Sequence, residues 1–252
     1  MSQDHTKTDA KTEVSADAKH DATKTRALLS WSSGKDSAWA LHVLRSEPAF
    51  AQVEVVGLLT TINAARQRVA MHGVRCSLLR EQAAAVGLEP WIVELPEPCS
   101  NSDYERIMAG VVAEARARGI TAVAFGDLYL EDIRRYRERM LEGTGLTPLF
   151  PLWGRATDAL AREMVAAGAR AVITCVDPKQ CSRDWLGREL DRELLDAAST
   201  GGPGARGVDP CGENGEFHTF AYDGPAFTRP VEFTRGEAVL RGGFAFLDLV
   251  PR

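Results

Sequence analysis

The sequence lacks the features that mark membrane-spanning, nucleic-acid-binding and secreted proteins. None of its apolar runs approaches the roughly 18–20 residues that a transmembrane helix needs. Its 30 basic residues are outnumbered by 35 acidic ones, whereas nucleic-acid-binding domains are usually basic. The N-terminus has no apolar segment of the secretory type. We therefore expect a cytoplasmic protein that neither crosses a membrane nor binds nucleic acid.

Cysteine is also scarce, and its spacing excludes two further classes of protein. The five cysteines are Cys76, Cys99, Cys175, Cys181 and Cys211. None forms a C-x-x-C pair, which argues against a zinc ribbon, and the pattern does not suit a secreted disulfide framework. We expect free thiols in a reducing compartment, although a redox pair of Cys175 and Cys181 stays open.

The organisation of the chain follows from where large apolar residues occur. Residues 1–25 contain only Val14 as a large aliphatic after Met1, so they are predicted to form a disordered tail. Beyond them, short apolar runs alternate with helical patterns. The runs span residues 27–31, 53–61, 91–95, 121–127, 148–153 and 171–176. Such alternation predicts an α/β fold with a doubly wound parallel sheet over residues 26–180.

Hydrophobic periodicity places the helices of this fold. Helices are predicted over residues 37–45, 74–86, 102–118, 130–142 and 157–167. Ser102 and Glu105 have the spacing of a capping box at the start of the third. Residues 185–198 read as one amphipathic helix, and the rest of the chain shows short strand-like pieces. Residues 181–252 are therefore predicted to form a small C-terminal α+β subdomain.

The strongest functional pattern is a turn of small polar residues between the first predicted strand and its helix. It consists of Ser32, Ser33, Gly34, Lys35, Asp36 and Ser37, and we call it the phosphate loop. A helix N-terminus offers free N–H groups and a positive dipole end to anions, and ligands of open α/β sheets bind at the carboxyl ends of strands. We expect Lys35 to supply charge and Asp36 to bind Mg²⁺. A helix cap without a ligand is the alternative.

Two other phosphate-binding signatures are excluded by the same residues. A Walker A loop would need Gly at position 29 and Ser or Thr at position 36, where the chain has Leu29 and Asp36. A dinucleotide fingerprint is absent as well. A position that needs a positive φ would strain Ser33.

Other strand ends supply candidate residues for the rest of a nucleotide. Leu58, Leu59 and Thr60 end the second predicted strand, where the leucines would wall an adenine. Gly126 and Asp127 end the fourth, and Asp127 either caps the next helix or faces the ligand. His72 is a further candidate, although a lone histidine more often has a packing role. Four arginines at positions 134, 135, 137 and 139 read mainly as a solvated helix face.

A second polar segment, residues 207–219, is rich in glycine and unlikely to build a core. It brings together Glu213, Asn214, Glu216, His218 and Thr219. Such a concentration of functional groups favours a binding site over packing, with a surface Ω-loop as the alternative.

Together these segments resemble a known family. The phosphate loop is similar to the S-G-G-x-D-S loop of the ATP pyrophosphatase superfamily, also called PP-loop or adenine nucleotide alpha hydrolases, with Ser33 where Gly is usual. Residues 211–219 are similar to the C-G-E-x-G-E-[FY]-x-T signature of the diphthine–ammonia ligases. This resemblance covers roughly residues 26–235 and implies a HUP-type fold that binds ATP.

The resemblance also implies an activity. Such a ligase adenylates a carboxylate and amidates it with ammonium, releasing AMP and pyrophosphate; the acceptor would be a carboxylate on a protein. The catalytic residues would be Lys35, Asp36, Glu213, Glu216 and His218, and Glu213, Asn214, Glu216 and Thr219 would line the acceptor or ammonium pocket. A tRNA-modifying enzyme of the same superfamily and a non-catalytic nucleotide sensor are the alternatives. The sequence leaves a homodimer open.

Overall fold

The computed structural model describes residues 24–201 and 207–252. The predicted disordered tail lies outside the described residues except for its last two positions. The described strands are β1 (Thr25–Ser30), β2 (Val53–Asn63), β3 (Arg68–Val69), β4 (Glu89–Leu95), β5 (Ala122–Ala124), β6 (Thr147–Leu149), β7 (Arg170–Val176), β8 (Phe217–Asp223), β9 (Phe233–Arg241) and β10 (Phe244–Pro251). The helices are α1 (Lys35–Ser46), α2 (Cys76–Val86), α3 (Asn101–Ala117), α4 (Glu131–Leu141), α5 (Thr157–Ala166) and α6 (Arg192–Thr200).

The first sheet, sheet A, confirms the predicted doubly wound α/β fold. Parallel pairing gives the strand order β4-β2-β1-β5-β6, and β3 pairs antiparallel with the end of β2. The chain builds outward from β1 through β2 to β4 and then crosses to β5 on the other side. The topological switch point therefore lies between the carboxyl ends of β1 and β5, where ligands of such sheets bind.

The second sheet, sheet B, is antiparallel and has the order β8-β7-β10-β9. The run over residues 171–176 forms a strand as predicted, but this strand, β7, lies in sheet B rather than in the parallel sheet. Almost all of its residues are buried. A strand buried on both faces shows the same continuous hydrophobicity in either kind of sheet, so the pattern did not reveal its partners.

The capping residue of α3 and the start of α6 differ from the prediction. Helix α3 is capped by Ser100, whose Oγ accepts a hydrogen bond from the Asp103 N–H at 3.1 Å, and not by Ser102. The single helix predicted over residues 185–198 is a 3₁₀ turn, Arg183–Trp185, followed by α6. Between them the chain runs beside β7, where the Leu190 N–H donates to the Ala171 carbonyl. Asp191 then caps α6 with its side chain.

One hydrophobic core joins the two sheets. It includes Leu29 and Leu58 of sheet A together with Val172 and Phe220 of sheet B, all essentially inaccessible to solvent. A direct backbone bond also links them, since the Ala221 N–H donates to the Ser33 carbonyl at 2.9 Å. The phosphate loop is thus packed against sheet B. None of the helices in residues 24–201 and 207–252 combines the length and hydrophobicity that crossing a bilayer requires.

Candidate active site

The largest group of predicted site residues surrounds a cavity of about 460 Å³ beside the switch point. The segments around it are the phosphate loop, the loop after β5, the turn after β3 and the 207–219 motif. The predicted residues that line it are Ser32, Lys35, Asp36, Ser37, His72, Gly126, Asp127, Glu213, His218 and Thr219. Segments far apart in the chain therefore form one site, which we call the phosphate cavity.

A second, more apolar cavity of about 220 Å³ lies next to it between sheet A and helices α3 and α4. Leu59 and Thr60 line this apolar cavity, and the role of Leu59 beside an adenine stays a prediction. Leu58 lines neither cavity, because successive side chains of a strand point to opposite faces and Leu58 lies in the main core. The structure therefore separates the two leucines that the sequence grouped together.

The backbone of the phosphate loop has its left-handed residue at Ser33. Ser33 has φ +70°, is fully buried, and its Oγ has no hydrogen-bond partner among the described residues. Neither Ser33 nor Gly34 lines a cavity. Gly34 is needed for another reason: a Cβ there would lie 2.7 Å from Cε1 of His72. The strain expected at Ser33 is thus present, at about 1 kcal/mol for a non-glycine residue in this region.

Gln82, which sequence analysis missed, fixes the start of the phosphate loop. Its Oε1 accepts from Trp31 Nε1 at 3.0 Å, and its Nε2 donates to the Ser33 and Ala221 carbonyls. It is fully buried on α2 among apolar neighbours. A polar residue at an apolar position of the helical repeat was the available signal, because buried polar groups need partners.

Lys35 joins the phosphate loop to the 207–219 motif. Its ammonium is buried, donates to Asp36 Oδ2 at 2.8 Å and to the Cys211 carbonyl, and lies over the Phe217 ring. Its backbone N–H donates to Thr219 Oγ1 at 3.0 Å. Burial opposes the charged form, but the acidic groups around the ammonium, Asp36 first and then Cys211 and Glu213, together outweigh it and hold the pKa of Lys35 above its usual value. Lys35 is therefore a fixed positive charge.

The carboxylates of the phosphate cavity are partly unsatisfied. Asp36 Oδ1 is buried without a hydrogen-bond partner among the described residues. Burial and the neighbouring Asp36 charge raise the pKa of Glu213 to about 8. Burial also raises the pKa of Asp127, although Arg137 counteracts it. No group of three metal-ligating side chains occurs among the described residues, so a cation here would depend on further oxygen ligands.

Two histidines of the site, His72 and His218, are neutral, and their rings contact each other at a tilt of 42° with centroids 4.8 Å apart. Burial lowers the pKa of His72 to about 4 and that of His218 to about 3. His72 Nδ1 lies 2.9 Å from the Thr219 carbonyl, which only accepts, so we assign the proton to Nδ1. His218 Nε2 is buried without a partner in the described chain. His218 is therefore suited to form a hydrogen bond through Nε2 and, with so low a pKa, not to take up a proton near neutral pH.

Glu216 and Asn214 shape the motif instead of lining a cavity. Glu216 is buried, and its oxygens accept from the Asp209 N–H, the Asn214 N–H and the Asn214 side chain, each at 2.9 Å. Asn214 in turn accepts from the Tyr129 hydroxyl at 3.0 Å. Both carboxylate oxygens of Glu216 are thus used within its own loop. Of the two glutamates expected to react, the structure brings only Glu213 to the cavity.

Arg75 ties the turn that carries His72 to sheet B. Asp248 of β10 accepts from Arg75 at 2.6 Å and from Arg68 at 2.8 Å. Arg75 and Arg68 together lower the pKa of Asp248 to about 2. Arg68 also donates to the Gly73 carbonyl at 2.8 Å. The ion pairs thereby position His72.

Arg137 was assigned to a mainly solvated face, yet it lines both cavities. Its guanidinium lies over the Phe125 ring at 5.0 Å, and its Nε is 3.4 Å from Asp127 Oδ2. Ile133, one turn earlier on α4, lines the phosphate cavity too. This i, i+4 relationship to an apolar residue was the signal that the dense charge of the helix concealed.

The five cysteines are free, as predicted, and four of them are buried. Burial raises the pKa of Cys175 and of Cys181 to about 12, and raises that of Cys211 as well. Cys211 Sγ is 3.4 Å from the Thr157 carbonyl. These thiols are therefore poor nucleophiles at neutral pH.

Comparison with known proteins agrees with this architecture. The family model described as diphthamide synthase N-terminal domain matches residues 24–148, and the one described as diphthamide synthase C-terminal domain matches residues 156–249. The predicted boundary after residue 180 falls inside the second match and stays a prediction.

Named relatives show the same similarity. The diphthine–ammonia ligase of Rattus norvegicus is 31% identical over 154 residues, which cover 59% of this chain and 55% of the rat protein. That of Homo sapiens is 33% identical over 153 residues, with the same coverage of each chain. That of Schizosaccharomyces pombe is 30% identical over 48% of this chain and 20% of the yeast protein. The matched segment spans about half the length of the rat and human ligases. Since the two family models together cover most of the sequence, the chain belongs to the diphthamide synthase family.

Proposed function

We propose that this protein is an ATP-dependent ligase that adenylates a carboxylate and amidates it with ammonium, releasing AMP and pyrophosphate. The observation that carries the proposal is the meeting of the phosphate loop with the 207–219 motif in one cavity, through Lys35 and Thr219. The names of the relatives point to diphthine as the acceptor and ammonia as the nitrogen donor.

We assign different parts of the nucleotide to the two cavities. The apolar cavity, with Leu59 and Thr60 in its wall, suits the base and ribose. The first turn of α1 supplies N–H groups and the positive end of the helix dipole to the β- and γ-phosphates. Lys35 is a buried cation beside them and offsets the charge that develops on leaving pyrophosphate.

Mg²⁺ fits the site through Asp36. The Oδ1 atom of Asp36 is buried without a hydrogen-bond partner among the described residues, so it can bind a cation or accept from a hydrogen-bond donor. A single protein carboxylate is sufficient, because Mg²⁺ commonly completes its shell with phosphate oxygens and water. When bound, the ion would neutralise charge on the phosphates.

The first step of the reaction forms an acyl-adenylate. An oxygen of the acceptor carboxylate attacks the α-phosphorus, and the bond from that phosphorus to the β-bridging oxygen breaks. The electron pair leaves with pyrophosphate, which the phosphate loop holds. Fixing both reactants at the switch point lowers the entropic part of the barrier.

The second step uses Glu213 as the base. Its pKa of about 8 lets it accept a proton from ammonium near neutral pH. The resulting ammonia attacks the acyl carbon, the bond from this carbon to the adenylate oxygen breaks, and AMP leaves with the electron pair. The nitrogen then gives its second proton to the phosphate of the departing AMP or to water. The neutral His218 accepts a hydrogen bond from the same nitrogen. Glu216 and Asn214 act indirectly, by holding Glu213 in place.

Exposed apolar side chains around the cavity mouth support an acceptor carried by a protein. Met71 and Ile133 line the phosphate cavity and are 51% and 38% exposed. Tyr129, which bonds to Asn214, is 39% exposed. Apolar side chains grouped at the rim of a site are typical of surfaces that bind a macromolecule.

The proposal is tested by product analysis with ATP, ammonium and a protein that carries diphthine. Formation of AMP and pyrophosphate that depends on both ammonium and acceptor is expected. Asp36→Asn keeps the shape of the side chain and should abolish turnover, whereas Glu142→Gln on the surface should not. ADP as the sole nucleotide product would reject the mechanism. ATP binding without turnover for any acceptor would favour a nucleotide sensor instead.

A further inference from the structure

The phosphate cavity and the apolar cavity share a short boundary. The residues that line both are Ser30, Ser32, Ala70, Phe125 and Arg137. Arg137 is the only charged residue among them. A molecule that extends from one cavity into the other crosses this boundary, where Arg137 supplies a guanidinium.

An adenine nucleotide that occupies both cavities puts its α-phosphate at this boundary. The base and ribose precede the α-phosphate, and the β- and γ-phosphates follow it. With the base beside Leu59 and the terminal phosphates at the first turn of α1, the α-phosphate lies between them. The negative charge nearest the scissile bond therefore meets Arg137.

Lys35 is not free to take this role. Its ammonium already donates to Asp36 Oδ2 and to the Cys211 carbonyl and lies over the Phe217 ring. Of the two cavities, Lys35 lines only the phosphate cavity. Lys35 therefore leaves room for a second protein cation at the α-phosphate.

Most of the N–H donors of the Arg137 guanidinium are unused among the described residues. Within the described residues its one hydrogen bond runs from Nε to Asp127 Oδ2, at the long distance of 3.4 Å. Its Cζ lies 5.0 Å from the centroid of the Phe125 ring, and no hydrogen bond of its two terminal nitrogens occurs among the described residues. A planar guanidinium binds two oxygens of one phosphate at once, which an ammonium does not.

We propose that Arg137 binds the non-bridging oxygens of the α-phosphate, in ATP, in the acyl-adenylate and in AMP. This inference rests on the proposed function and assigns a catalytic residue to it. As the acceptor oxygen attacks, negative charge on the α-phosphoryl group is held by Arg137 without any proton transfer. The same contact keeps the adenylate in place while ammonia enters.

The test compares Arg137→Gln with Arg134→Gln in binding assays that need no acceptor. Arg134 lies on the same helix, also packs on aromatic rings, Phe150 and Trp153, and lines neither cavity. AMP, adenosine and inorganic pyrophosphate are titrated separately by calorimetry. Arg137→Gln should weaken AMP binding by about 10- to 100-fold, the range for losing a charge-assisted contact. Adenosine and pyrophosphate affinities should change by less than about twofold, as should all three in Arg134→Gln.

The outcomes separate this inference from the proposed function. If wild-type protein binds AMP and Arg137→Gln binds it equally well, the inference fails and the proposed function stands. An equal loss of adenosine and AMP binding would show that Arg137 only shapes the apolar cavity. That result would also overturn the inference. A wild-type protein that binds no adenine nucleotide overturns both. Arg137→Lys keeps the charge and should recover only part of the AMP affinity, which guards against misfolding of the glutamine variant.

Discussion

The backbone N–H of Lys35 donates to Oγ1 of Thr219 across 184 positions of sequence, at 3.0 Å. Both residues are buried. The Thr219 carbonyl also accepts from His72, so one residue of β8 holds two walls of the cavity. The geometry of the phosphate cavity therefore depends on sheet B as much as on the phosphate loop.

Thr219→Val should show how much this bond contributes. The substitution keeps the shape of the side chain and leaves the buried Lys35 N–H without an acceptor. We expect a loss of about 1–3 kcal/mol in the free energy of unfolding, measured by urea denaturation. Thr219→Ser retains the hydroxyl and is the matched control, with a smaller loss. Equal effects of the two variants would show that packing of the methyl group, and not the hydrogen bond, is what matters.

Ser33→Gly should stabilise the protein. It removes the left-handed strain of Ser33 and a buried hydroxyl that has no partner among the described residues. The gain, reduced by the greater flexibility of glycine in the unfolded chain, should be about 1 kcal/mol in thermal or urea unfolding. Met71→Gly relieves the same strain at φ +59° but at an exposed position, so its gain should be smaller. A less stable Ser33→Gly protein would contradict the strain argument.

Gly126→Ala should impair nucleotide binding. A Cβ at this position would lie 3.1 Å from the backbone of Asp36, so the loop after β5 and the phosphate loop would have to separate. We expect weaker ATP binding and a loss of stability, measured by calorimetry and urea denaturation. Gly110→Ala on α3 is the control, because nothing lies within 4 Å of its Cβ. In a helix interior that change should stabilise by roughly 0.5–1 kcal/mol, with ATP affinity unchanged.

The pH dependence of stability should report on Glu213. Its pKa is about 8 when folded, against 4.5 for an unperturbed glutamate, so the folded protein binds the extra proton between these values. Stability should consequently fall as pH rises from about 4.5 to about 8. Glu213→Gln should flatten this part of the profile, as seen in denaturation midpoints, and Glu142→Gln should leave it unchanged.

Activity should separate the two chemical steps in the same variant. Glu213→Gln should still release pyrophosphate with acceptor and ATP, but form amide far more slowly. In the wild type, amide formation should rise with pH towards 8 as Glu213 ionises. Equal loss of pyrophosphate release and amide formation would place Glu213 in the first step instead.

Local patterns revealed the fold and part of the site. The phosphate loop was recognisable because a buried strand, a turn of small residues and a helix follow one another directly in sequence. The roles of Glu216 and Gln82 could not be recognised, because they bind backbone groups that come near only when the chain folds. Arg137 was concealed among neighbouring charges, and Leu58 differs from Leu59 only by strand alternation.

The hydrogen bond from the Ala221 N–H to the Ser33 carbonyl limits how this protein can be cut into fragments or used as a source of parts. A fragment that ended after β6 would keep every residue of the phosphate loop and lose the strand that shapes it. Grafting the loop onto another scaffold would fail for the same reason. We expect ATP binding to require both sheets, so neither half of the protein expressed alone should bind ATP.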